Sequence, residues 1–102
     1  MANYQEKLRD LLITTAKQNA SDLHIAVGRR PTLRIDGVLV PLQKEAVMTP
    51  DVVEGVISEL LTPEQKERLT KDRQVDFAYS FEDKARFRVN VYFQRGYAAA
   101  AL

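Results

Sequence analysis

Arginines at positions 86 and 88, followed by Asn90, alternate with apolar residues in the run Ala85-Arg-Phe-Arg-Val-Asn-Val-Tyr-Phe-Gln94. Period-two alternation sends Ala85, Phe87, Val89, Val91 and Phe93 to one face of a strand, and Arg86, Arg88, Asn90, Tyr92 and Gln94 to the other. At about 3.3 Å per residue, the two guanidiniums and the Asn90 amide share a surface about 13 Å long. A guanidinium is a planar fork of N–H donors that matches phosphate oxygens, and a strand holds it more firmly than a loop. The row suits contact with a phosphate group, although the same pattern also serves an ordinary solvent-facing strand.

Ser21, Asp22 and His24 form the second group with chemistry in it. His24 is the sole histidine, so a histidine-based metal cluster is excluded and a Ser-His-Asp triad could be built only around it. Asp22 and His24 project from the same strand face with no nucleophile elbow beside them, which favours a hydrogen-bonded structural or interface role. Asp76 and Glu82 read as solvent carboxylates. No stretch matches Gly-x-x-x-x-Gly-Lys-Ser/Thr, and Gly28, Gly37, Gly55 and Gly96 are too scattered to wrap a nucleotide's phosphates.

Composition narrows the classes further. With 45% hydrophobic and 28% charged residues, the 102-residue chain is expected to fold as one domain rather than stay disordered. Fifteen Lys plus Arg against fourteen Asp plus Glu leave a net charge of +1, so there is no bulk electrostatic footprint for nucleic acid, and any anion contact must be local. The absence of cysteine removes disulfides and thiolate nucleophiles and fits a reducing compartment. No signal-peptide pattern opens the chain and no run of eighteen apolar residues occurs, so the cytoplasm is the expected location.

The elements that would position these residues are legible in outline. Tyr4, Leu8, Leu11, Leu12 and Ala16 recur at helical spacing, which predicts an amphipathic helix over 3–18. Leu23, Ile25 and Val27 alternate in a short strand, and Gly28-Arg29-Arg30-Pro31 is a turn. Asp36-Gly37 between Leu33/Ile35 and Val38-Leu-Val40 is a two-residue hairpin signal. Thr49-Pro50 and Thr62-Pro63, the latter with Gln65 in capping-box position, start two helices, the second expected to run to about Lys71. Val75, Phe77, Tyr79 and Phe81 alternate in a strand that turns at Glu82-Asp83-Lys84 into the arginine strand. Tyr97-Ala-Ala-Ala-Ala-Leu102 reads as a strand or core segment that is cut short. The order is that of an α+β domain on an antiparallel sheet.

Three segments in order, Ala20-Ser-Asp-Leu-His-Ile25, Pro31-Thr-Leu-Arg-Ile-Asp-Gly-Val-Leu39, and Ala85-Arg-Phe-Arg-Val-Asn90 with Gln94-Arg95-Gly96, resemble the amino-terminal domain of PilT-type type IV pilus retraction ATPases, in the secretion-ATPase superfamily. The likeness covers essentially the whole chain. It implies a PAS-like antiparallel sheet with an N-terminal helix and a central helix pair packed on it. It also implies that 1–102 is a single domain ending before a RecA-like ATPase domain that carries the Walker motifs.

By the same resemblance, the parent is an ATPase using ATP and Mg2+, while this fragment is not itself an enzyme and holds neither. The family's homohexameric ring packs each such domain against the ATPase domain of a neighbouring subunit. Nucleotide lies between the two domains of one chain. Arg88 matches the arginine that reaches the nucleotide's terminal phosphate, a second arginine falling roughly fifteen positions further on, beyond Leu102. Arg86 matches the first arginine of the motif with no definite contact, and Ser21, Asp22 and His24 match a signature with a structural or interdomain role. Expected partners are the chain's own C-terminal RecA-like domain, neighbouring subunits, and the pilus machinery at the inner membrane, to which the cytoplasmic motor is peripheral; nucleic acid is not among them. The Ser-Asp-Leu-His segment follows a single helix, which favours the retraction type used in twitching motility. Arg29-Arg30 departs from the apolar or small residues usual before the proline, and is expected to be a solvated turn. Two other readings stay open: a stand-alone PAS-like ligand sensor, and an interaction module whose arginine face binds an acidic protein.

Overall fold

The two helix starts foreseen from a capping residue, at Thr49 and Thr62, are built that way in the computed structural model, which describes residues 3–82 and 85–102. Asn3 accepts a hydrogen bond from the Glu6 N–H and opens helix α1 (Tyr4–Lys17), whose Leu8, Leu11, Leu12 and Thr15 point inward. Thr49 caps α2 (Pro50–Leu60) and Thr62 caps α3 (Pro63–Asp72), the latter through a complete capping box with Gln65. The third helix ends where Arg73 takes a left-handed conformation and its N–H bonds to the Leu69 carbonyl.

Six strands make one antiparallel sheet: β1 (Asp22–Ile25), β2 (Thr32–Ile35), β3 (Val38–Pro41), β4 (Gln74–Phe81), β5 (Ala85–Gln94) and β6 (Tyr97–Ala101), in the order β3-β2-β1-β6-β5-β4. The β2–β3 hairpin turns at Asp36 and Gly37, both with positive φ (51° and 80°), as a type I′ turn requires. Arg95 and Gly96 do the same between β5 and β6, with φ of 54° and 85°. The terminal alanine run is thus a strand, and it takes a central place between β1 and β5. Of the turn expected at Glu82-Asp83-Lys84, Asp83 and Lys84 lie outside the described residues.

Burial alternates along β1, β4 and β5, whereas all four residues of β3 are exposed. Leu23, Ile25, Leu33, Val75, Val89, Val91 and Ala100 point to one face and join the inward residues of the helices in a single buried cluster. Burying one such side chain contributes about 1.5–3 kcal/mol. Thr15 is the buried polar residue among those described, and its hydroxyl donates to the Leu11 carbonyl. Helices α1 and α2 come so close that the Tyr4 ring lies against Gly55, leaving no room there for a Cβ. The opposite face of the sheet carries Arg34, Asp22, His24, Asn90, Arg88, Arg86 and Asp76, all half-buried or exposed. This open face carries every candidate residue except Ser21, which precedes β1.

Candidate functional site

Strand register sets which side chains meet on the open face. In the β4–β5 hairpin, Arg88 stands opposite Ala78, Arg86 opposite Ser80, and Asn90 opposite Asp76. Across the sheet centre, Asn90 pairs with Ala101, which pairs with His24. In the β1–β2 pair, Asp22 faces Arg34. Placing β6 between β1 and β5 therefore brings the Ser21/Asp22/His24 group and the Arg86/Arg88 row, more than sixty positions apart in the chain, around one hollow of about 410 Å³. A neighbouring hollow of about 460 Å³ runs on toward the β4 edge and shares Arg86, Arg88 and Asp76.

The polar groups around this hollow differ in how they are held. The Arg34 Nε donates to Asp22 Oδ2 at 3.0 Å and its Nη1 donates to the Gly37 carbonyl at 3.2 Å, so this arginine is committed to the fold. Asn90 Nδ2 donates to Asp76 Oδ1 at 2.7 Å. Ser21 Oγ donates to the Arg34 carbonyl at 3.3 Å, so its hydroxyl is not aimed at a base. His24 Nε2 lies 3.7 Å from Asp22 Oδ2, beyond hydrogen-bond distance, and is buried without a partner. The hydrogen bond expected for His24 from the sequence is not formed among the described residues; the carboxylate beside it, Asp22, is bonded to Arg34 instead. Asp76 and Glu82 are exposed, as expected, and each accepts one hydrogen bond, Asp76 from Asn90 Nδ2 and Glu82 from Arg9 Nε at 2.9 Å. That hydrogen bond and the Glu82 charge raise the Arg9 guanidinium pKa above its ordinary value.

Arg86 and Arg88 are exposed, and among the described residues neither takes part in an ion pair. Beneath them, Phe87 and Val89 anchor the strand in the core, Val89 with no exposed surface. Two exposed cations on one strand, without ion-pair partners among the described residues, can bind an anion. The donor set fits phosphate oxygens, whereas no group of three or more His, Asp and Glu gathers among the described residues to hold a metal ion. The sequence missed Arg34 and the Asp76–Asn90 pair as members of this surface. Strand alternation gave their face, but their partners depend on register.

No protein-family model matches the chain. It is 33% identical over 98 residues to the type IV pilus retractation ATPase PilT of Pseudomonas aeruginosa, an alignment covering 91% of the chain and 27% of that protein. The type IV pilus ATPase PilU of the same organism is 26% identical over 97 residues, covering 95% of the chain and 24% of PilU. In three dimensions the chain superposes on the crystal structure of the pilus retraction motor PilT with bound ADP, with a TM-score of 0.86 and 30% identity, over 91% of the chain and 27% of that structure. The chain thus spans about a quarter of the length of the proteins it matches.

Proposed function

We propose that this chain, a homologue of the pilus ATPases PilT and PilU with the fold of the PilT amino-terminal domain, serves as that domain in a pilus retraction motor and lends Arg88 to the phosphates of a nucleotide held by a RecA-like partner domain. The observation that carries this reading is the pair of exposed arginines on β5 that lack ion-pair partners among the described residues while the other arginine of the open face, Arg34, is bonded to Asp22 and to the Gly37 carbonyl. A guanidinium left unpaired on a stiff strand keeps its charge available for an anion that arrives later. The PilT structure that the chain superposes on was solved with ADP.

Binding energy is divided between two bodies in this account. The ATPase domain supplies the phosphate cradle, the Mg2+ ligands and the phosphoryl-transfer chemistry. This chain's part is to bring one cation up to the phosphates from the open sheet face, with Arg86 beside it reinforcing the local potential. Ser21, Asp22 and His24 form the neighbouring wall, with a structural or interdomain role. Contacts with neighbouring subunits of a homohexamer and with the pilus machinery, in a cytoplasmic setting, belong to the same proposal. The fold supports it over a stand-alone sensor, since the described core is apolar and its buried Thr15 is already bonded to Leu11.

The test is nucleotide affinity. Charge-assisted hydrogen bonds contribute about 1.5–3 kcal/mol, so Arg88→Ala in the full-length protein is expected to weaken ADP binding roughly ten- to a hundredfold. The isolated 102-residue chain should bind ADP only weakly. Unchanged ADP affinity in the variant, or sub-micromolar ADP affinity of the isolated chain, would refute the reading.

A further inference from the structure

Two carboxylates, Asp22 and Asp76, line the hollow that Arg86 and Arg88 face, yet among the described residues neither pairs with them. Each has one oxygen bonded elsewhere: Asp22 Oδ2 to Arg34 Nε at 3.0 Å, Asp76 Oδ1 to the Asn90 amide at 2.7 Å. Asp22 lies on β1, two strands from β5 and so about 10 Å away, but Asp76 is a close neighbour. It stands opposite Asn90, and Arg88 stands opposite Ala78, which makes Asp76 the diagonal neighbour of Arg88 on the same face. Diagonal positions are about 7–8 Å apart, within reach of an arginine side chain. Ala78 offers Arg88 no polar atom, so Asp76 is the carboxylate best placed to capture it.

We infer that Asn90 is a positioning residue whose amide holds the Asp76 carboxylate along its own cross-strand row, and so keeps Arg88 open to an anion. An asparagine can do this where an alanine or valine cannot, because its Nδ2 donates to the carboxylate without carrying a charge that would itself compete for the anion. Removing the amide frees Asp76 to pair with Arg88. The loss for an incoming phosphate is the strength of an exposed cross-strand ion pair, about two- to fivefold in affinity. The consequence for phosphate affinity rests on the phosphate reading of Arg88; the change of partner for Asp76 does not.

The two are separable by nitrogen-15 NMR at the Arg88 Nε of the 102-residue chain. In the unaltered chain this group should show the low heteronuclear NOE of a mobile side chain. In Asn90→Ala the NOE should rise as Asp76 pairs with Arg88, and in Asn90→Ala with Asp76→Ala it should fall again. Titration with inorganic triphosphate, followed at the same signal, should give affinity two- to fivefold lower in Asn90→Ala and recovered in the double variant. Asn90→Val, better suited to a strand than alanine and equally without a donor, repeats the test should the first variant fold poorly. An unchanged NOE in both single variants, or a loss of affinity that Asp76→Ala does not reverse, would reduce Asn90 to a merely structural residue and overturn the inference. If the NOE follows the expected course while triphosphate moves Arg88 in no variant, the positioning role stands and the phosphate reading falls.

Discussion

The two halves of the open sheet face carry arginines on similar strands with opposite fates. On β2, Arg34 sits directly across from Asp22, and the pair is joined at 3.0 Å and tied to the Gly37 carbonyl. On β5, Arg88 sits across from Ala78, and the nearest carboxylate is already bonded to Asn90. Both arginines rest on equally buried supports, Leu33 on one side and Val89 on the other. What separates a structural arginine from an available one is therefore the residue one strand over. The burial of their supports does not distinguish them.

The comparison can be broken first at its shared support. Leu23 is fully buried beside Asp22 and pairs with Leu33 across the β1–β2 ladder, so Leu23→Ala should cost about 2–5 kcal/mol in chemical denaturation. A loss under 1 kcal/mol would mean that the open face is not held by this core. Converting one half into the other is the next largest effect. Ala78→Asp places a carboxylate opposite Arg88, in the relation Asp22 has to Arg34. In the full-length protein, ATP turnover should then fall about two- to fivefold while stability stays within 1 kcal/mol of the starting protein. Turnover unaffected by that carboxylate would argue that Arg88 is not required to be unpaired.

Cutting the committed pair should do least. Arg34→Ala leaves Asp22 without its donor on a partly exposed surface, with an expected loss of about 0.5–1 kcal/mol by thermal or chemical denaturation and no change in turnover. A tenfold loss of turnover in Arg34→Ala would erase the distinction between the two halves.

Much of this surface is legible in the amino-acid sequence. Alternation alone puts Arg86, Arg88 and Asn90 on one face and Asp22 with His24 on one face, because the period of a strand is fixed by backbone geometry. Thr49-Pro50, Thr62-Pro63-Glu-Gln65 and Asp36-Gly37 locate helix starts and a hairpin because caps and type I′ turns are local chemistry. The placement of β6 beside β1 is not legible. It joins residues more than seventy positions apart, and nothing local to Tyr97–Ala101 names His24 or Ile25 as partners. The Arg95-Gly96 turn is also hidden, since it asks an arginine to adopt a φ of 54° and only its glycine gives a signal. The Asp76–Asn90 contact depends on the hairpin register, which the turn length sets and composition does not reveal.

ATP turnover of the full-length protein with Arg88→Ala, set beside Arg34→Ala as the control from the other half of the same sheet, bears most directly on the central claim. An arginine that contacts the transferring phosphoryl group is worth about 10³–10⁵ in rate, and one that only binds the phosphates is worth less, so Arg88→Ala should lower turnover at least about tenfold with an unaltered melting temperature. Equal turnover in Arg88→Ala and the unaltered protein would contradict the account.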